Sequence, residues 1–220
     1  MSTVNLHEAR HNMVEQQVRP WDVLDPRILQ LLEAIHREDF VPETYKNLAY
    51  ADTAIPLGDG EVMMHPVVEG RMLQALDIRP EDEILEIGTG SGFITACLAS
   101  LGAHVDSIEI NQAIATRAAE SLVSQGVFNI SLSVADATEP AELNKKYDVI
   151  AITGSMADIP QAYKQALKPD GRLFVITGTD PVMVAYLVTR TDDNAWASQY
   201  LFETSIKALC HAETPATFNF

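Results

Sequence analysis

The chain has 220 residues, 47% of them hydrophobic and 21% charged, with a formal net charge of −16. That length and balance describe a globular chain with a substantial core, and the excess of acid excludes direct binding to a phosphate backbone. The two cysteines, Cys97 and Cys210, form no Cys-x-x-Cys pair, which removes a zinc knuckle and a dithiol redox motif. The opening stretch MSTVNLHEARHNMVEQQ is polar and lacks the apolar centre of a signal peptide. No run of about 18 apolar residues occurs. The expectation is a cytoplasmic protein with no membrane, nucleic-acid or metal partner.

In chain order, residues 1–60 read as helical and irregular. Asp25-Pro26 predicts a helix start, because Asp caps and Pro fits the first helical position. Ile28, Leu31, Leu32 and Ile35 follow with helical spacing, and Val68, Met72, Leu73 and Leu76 repeat it over 66–76. From residue 83 the texture changes. EILEIG (83–88), HVDSIEI (104–110), NISLSV (129–134), YDVIAIT (147–153) and RLFVIT (172–177) read as buried strands. Residues 92–101, 112–125 and 159–168 between them read as helices. This alternation predicts a parallel sheet covered on both faces. VMVAYLVTR (182–190) and QYLFETSIKAL (199–209) then read as an antiparallel pair at the sheet edge.

The strongest chemical signal is ILEIGTGSGF, residues 84–93. Gly88, Gly90 and Gly92 follow a strand and open a helix, where bare backbone lets a ligand approach closely. The nicotinamide fingerprint is Gly-x-Gly-x-x-Gly. Here Phe93 stands where its third glycine would fall, and Glu86 would repel a pyrophosphate. Glu86 suits instead a ligand with a cationic amino-acid end. Glu109 ends the next strand, 21 residues after Gly88, placed to accept from two ribose hydroxyls. Asp136 follows the strand after that, placed to accept from an adenine amino group. Three acids after successive strands, with no phosphate site, point to S-adenosylmethionine. Thr89 and Ser91 in the loop, and Ile110 and Ala137 beside the acids, complete the candidate cofactor set. Cys97, in FITACLASL, reads as core.

With these residues in place, the chain resembles the protein-L-isoaspartate O-methyltransferase family. MVEQQVRPWDVLDPRILQLLEAIHREDFVPETYKNLAYADTAIPLGDG looks like that family's N-terminal region. ILEIGTGSGFITACLASLGAHVDSIEI looks like its cofactor motif and ribose acid. YDVIAITGSMADIPQAYKQALKPDGRLFVITG is similar to its later strand, Ile-Pro loop and Lys-Pro-x-Gly-Arg turn. The resemblance implies a Rossmann-like class I S-adenosylmethionine-dependent α/β fold, mostly parallel, with an antiparallel edge. It implies a single methyltransferase domain over 1–220, with 1–76 as a helical cap and 77–220 as the cofactor-binding core. It further implies methyl transfer to the carboxylate of isoaspartyl residues in damaged proteins, yielding S-adenosylhomocysteine and an ester that collapses to a succinimide.

One stretch departs from the family. Its pattern is Gly-x-Gly-Gln-Thr-Ile-Ser-x-Pro, and the chain reads GDGEVMMHP over 58–66. Alignment places Glu61 at the glutamine, Val62 at the threonine and Met64 at the serine associated with methyl transfer. Ser155 is positioned to return one hydroxyl nearby, and His65 is a candidate base. Loss of the serine removes an orienting hydrogen bond, and Glu61 adds negative charge where an anionic acceptor arrives. Two alternatives stand beside the repair reading. One is a paralogous methyltransferase whose acceptor, a peptide or small molecule, fits an apolar pocket lined by Met63 and Met64. The other is a non-catalytic S-adenosylmethionine-binding protein. Oligomeric state is not encoded in any of these features.

Overall fold

The computed structural model describes residues 5–138, 143 and 145–212. The last eight residues of the tail, 213–220, lie outside that set. Helix α1 (Leu6–Asn12) runs into a π-helical turn and a 3-10 turn, followed by α2 (Pro26–Ala34). The Asp25 carboxylate accepts from the Arg27 amide at 2.8 Å, and Pro26 sits in the first turn, as the sequence predicts. Ile28, Leu29, Leu31 and Leu32 form the buried stripe.

Two further 3-10 turns lead to a hairpin absent from the sequence reading. Strands β1 (Ile55–Gly58) and β2 (Glu61–Met63) pair antiparallel. Asp59 and Gly60 make the turn with φ of 53° and 80°, the double positive φ of a tight two-residue hairpin. The strands are too short to show an alternation, so the region reads as irregular. Helix α3 (Pro66–Leu76) follows, opened by Pro66 and closed by Asp77 in the left-handed region.

The main sheet has seven strands in the order β5-β4-β3-β6-β7-β8-β9. They are β3 (Glu83–Ile87), β4 (His104–Glu109), β5 (Ile130–Val134), β6 (Tyr147–Met156), β7 (Leu167–Thr179), β8 (Val182–Asp192) and β9 (Ala195–Thr204). The first five in this spatial order pair parallel, and β7-β8 and β8-β9 pair antiparallel. Helices α4 (Phe93–Leu101), α5 (Gln112–Ser124) and α6 (Gln161–Ala166) connect the strands. Alternate strand residues feed two cores. Ile84, Val149, Ala151, Phe174 and Ile176 face one layer with residues of α2, α3, α4 and α5. Leu85, Ile87, Ile150, Ile152 and Leu173 face the other with Tyr163 and Ala166 of α6. A two-sided core is why these strands read as continuous apolar runs. The fold is the Rossmann-like architecture expected from the sequence. Among the described residues no helix is long and apolar enough to cross a membrane.

The edge pair differs from expectation in register. Strand β9 begins at Ala195, because the Asp193-Asn194 turn is shorter than the polar run TDDNAWAS implies. It ends at Thr204. Residues 205–212 then leave the edge and cross the carboxyl ends of the central strands, where Ala208 bridges to Ser155. The Ser155 amide donates to the Lys207 carbonyl, and the Leu209 amide donates to the Ser155 carbonyl, each at 3.0 Å.

Candidate active site

Chain order runs outward from β3 in both directions, so β3 and β6 flank the switch point, where open α/β sheets leave a crevice at the strands' carboxyl ends. A cavity of about 620 Å³ lies there. Its floor is the turn after β3. Gly88 has a φ of 91°, and a Cβ on it would meet the Thr153 hydroxyl at 2.5 Å. Only glycine fits that conformation and space. The loop is tied to β4 by the Gly90 amide, which donates to Glu109 Oε2 at 2.9 Å. The Asn111 amide donates to the other oxygen of the same carboxylate at 2.9 Å. Glu109 is thus held at the cavity wall by two backbone donors, with one lone pair of each oxygen left for a ligand. Asp136 stands on the next wall. Its Oδ1 accepts from the Thr138 amide and hydroxyl, and its Oδ2 faces His211 Nδ1 at 2.7 Å. These bonds, led by the Thr138 amide, lower its pKa to about 2.

The candidate cofactor residues divide. Gly88, Gly90, Glu109, Ile110, Asp136 and Ala137 line the cavity, and Glu86, Thr89, Ser91 and Gly92 do not. Glu86 corrects the expectation that its carboxylate meets a ligand. Strand alternation turns it toward α4, beneath the glycine turn, where it is 0% exposed. Its Oε2 accepts from Thr95 and Ser107 at 2.6 Å each, while Oε1 has no partner among the described residues. Burial pushes its pKa up to about 7 against the opposing effect of these two donors. Thr89 and Ser91 serve the loop itself: the Thr89 and Ser107 hydroxyls share a bond of 2.6 Å, and Ser91 Oγ accepts from the Phe93 amide. Gly92 opens α4 with φ 85°.

The opposite wall is the stretch GDGEVMMHP. Val62, Met63, Met64 and His65 all line the cavity. Met64 is 8% exposed and belongs both to the core and to the wall. Its carbonyl accepts from Arg37 Nη2 at 2.8 Å. Arg37 is 0% exposed, donates to the Ala49 carbonyl and pairs with Glu69 of α3, so it clamps the wall to the helices behind it. His65 Nδ1 lies 3.2 Å from Asp52 Oδ1. Ser155 also lines the cavity, but its hydroxyl points to the Ile206 carbonyl at 3.4 Å.

The third wall is the crossing segment 205–212, which sequence reasoning missed. Leu209 packs over the glycines: a Cβ on Gly154 would meet its Cδ2 at 2.7 Å. His211 reaches Asp136, and Lys207 and Cys210 reach Glu61. Lys207 Nζ donates to Glu61 Oε1 at 2.5 Å and to the Gly60 carbonyl at 2.6 Å. This overturns the expectation that Glu61 presents an unbalanced charge to an acceptor. The local signal was faint, a lone lysine in an otherwise apolar run, with its partner 146 positions away.

Known proteins share this chain's sequence pattern and fold. The profile of the protein-L-isoaspartate (D-aspartate) O-methyltransferase family matches residues 8–211. A protein-L-isoaspartate O-methyltransferase of Methanoculleus marisnigri is 39% identical over 169 residues, 77% of each chain. One of Syntrophus aciditrophicus is 36% identical over 187 residues, covering 85% of this chain and 86% of that one. A crystal structure from Plasmodium falciparum, described as a protein-L-isoaspartate O-methyltransferase in complex with S-adenosyl-L-homocysteine, superimposes with a TM-score of 0.77. That match covers 91% of this chain and 97% of the other at 17% identity, a likeness of fold.

Proposed function

The chain belongs to the protein-L-isoaspartate O-methyltransferase family, and we propose that the cavity between the glycine turn and GDGEVMMHP is where it carries out that reaction. The protein is an S-adenosylmethionine-dependent O-methyltransferase acting on protein substrates. The observation that carries the site assignment is the convergence, in one cavity, of Gly88, Gly90, Glu109 and Asp136 with the residues aligned to the family's acceptor loop.

The donor set fits the cofactor. Glu109 has a spare lone pair on each oxygen for two ribose hydroxyls, and Asp136 an acceptor for an adenine amino group. Gly88 and Gly90 allow close approach of the ligand to the backbone. When bound, S-adenosylmethionine supplies an electrophilic methyl group on a sulfonium. The acceptor carboxylate is ionised at neutral pH and already a nucleophile, so the chain needs no general base. Its contribution is alignment of the two reactants and exclusion of water. Val62 and Met64 supply an apolar wall for the second task. The carboxylate gives His65 no proton to take, and its imidazole anchors the wall to Asp52. Residues 1–76, which supply Arg37 and GDGEVMMHP, act as the cap on the acceptor side of a single 1–220 unit.

Incubation with methyl-labelled S-adenosylmethionine and a peptide carrying one isoaspartyl residue tests this reading. The expected result is base-labile label in that peptide and none in its aspartyl counterpart. Label in neither peptide, from protein whose melting temperature S-adenosylhomocysteine raises, would overturn the acceptor assignment. Glu109→Ala should shrink that thermal shift, and an unchanged shift would remove Glu109 from the cofactor set.

A further inference from the structure

A carboxylate acceptor must enter a cavity whose charged lining is mostly acidic. Glu61, Glu109, Asp136 and Asp180 face it, against one histidine, His65, and one lysine, Lys207. Lys207 is the only lysine or arginine in that lining among the described residues. Its position is built. The backbone on which it stands is pinned by the Ser155–Lys207 and Leu209–Ser155 hydrogen bonds. Its ammonium is aimed by the Gly60 carbonyl and Glu61 Oε1, and Cys210 Sγ supports the same Glu61 oxygen at 3.2 Å. Two of the three ammonium protons are used by these partners, and the side chain is 39% exposed.

We propose that Lys207 is the specificity-determining residue that receives the acceptor's negative charge, with Glu61 as the counterion that aims it. This deepens the isoaspartyl reading above and rests on it. In this chain the orienting hydroxyls at positions 62 and 64 are replaced by apolar side chains. A charge-assisted donor from the facing segment supplies the anchoring interaction instead. Glu61 thereby changes meaning. Alone it would repel a carboxylate. Paired with Lys207 it cancels to a neutral clasp whose ammonium still has a proton to give.

The competing account is a purely structural clasp between hairpin and crossing segment, and the two accounts differ in sign. The probe is binding of a fluorescent isoaspartyl peptide to the S-adenosylhomocysteine-saturated protein, compared with the same peptide whose free carboxylate is a carboxamide. Wild type is expected to prefer the carboxylate about tenfold at low salt, and less as ionic strength rises. K207M should abolish the preference and K207R restore most of it. E61Q should keep or widen it, because it removes the repelling group and leaves the ammonium. A clasp without recognition predicts that K207M and E61Q weaken both peptides alike. That pattern, or an undiminished preference in K207M, would overturn the proposal. The thermal shift by S-adenosylhomocysteine should persist in all three variants; if K207M loses it, K207Q and the salt dependence of wild type carry the same comparison. An intact carboxylate preference without methyl transfer would strike the reaction and leave Lys207 in place. Methyl transfer without any preference would strike Lys207 alone.

Discussion

The two halves of the cavity are held together by different kinds of interaction. On the cofactor side, each acid is held by backbone amides, Glu109 by those of Gly90 and Asn111 and Asp136 by that of Thr138, with His211 against the other Asp136 oxygen. On the acceptor side, the wall is fixed by side chains of other segments: Arg37 on the Met64 carbonyl, Asp52 on His65, Lys207 on Glu61. Backbone donors in tight turns survive side-chain replacement. Side-chain pairs between distant segments can be exchanged together for other pairs. On the proposed reading, this difference lets the acceptor loop carry Val62 and Met64 without disturbing the glycine turn.

The largest expected effect separates the halves through stability. Arg37→Met leaves Glu69 buried without its partner and removes the donor to Met64. Breaking one member of a buried pair costs about 3–5 kcal/mol, or roughly 10 °C in melting temperature for a chain of this size. Burial already pushes the Glu69 carboxyl above its ordinary range with Arg37 present. Methyl transfer should fall with it, while S-adenosylhomocysteine still stabilises the folded fraction. A stability loss below about 1 kcal/mol would show that Arg37 is not the clamp.

The cofactor side has its own weak point in Glu86. The fold raises this carboxyl from 4.5 to about 7. The native state therefore binds its proton more tightly than the unfolded chain does. That contribution to stability is complete below about pH 4.5 and is lost as pH rises through about 7, a change of about 3 kcal/mol. Glu86→Gln should flatten this dependence, gaining on wild type from about pH 4.5 to 7 in denaturant titrations and levelling off above that. Parallel pH profiles for the two proteins would contradict the assignment. A smaller loss, about 2 kcal/mol, is expected for Gly88→Ala, from the positive φ and the Thr153 contact. Its thermal shift with S-adenosylhomocysteine should disappear, and an undiminished shift would mean that the turn does not touch the cofactor.

These contrasts also explain what could be read from the sequence. The central strands β3, β6 and β7 were legible because they are buried on both faces and appear as apolar runs, whereas β4 and β5 show only a partial alternation. Gly88, Gly90, Glu109 and Asp136 were legible because each stands at or just after a strand end in a recognisable motif, although Gly90 bonds Glu109 19 positions on and Asp136 faces His211 75 positions on. Glu86 misled: its place beside the glycines marks the motif, but strand alternation sends its side chain into the core. The hairpin around Asp59 was hidden by the shortness of β1 and β2. The segment 205–212 was invisible because its meaning comes from Ser155, Glu61 and Asp136, residues that chain separation conceals.

If the halves are separable as described, the acceptor side can be rebuilt without disturbing the other. Met64→Ser returns a hydroxyl to the wall facing the cofactor residues. It removes buried methionine, so some stability is lost, about 2–3 kcal/mol. The most direct measurement is kcat/KM for an isoaspartyl peptide alongside the dissociation constant for S-adenosylhomocysteine, in wild type and Met64→Ser. The account predicts a rise of about tenfold in kcat/KM, with the dissociation constant changed by less than about twofold. An unchanged kcat/KM, or a cofactor affinity that moves by the same factor, would contradict it.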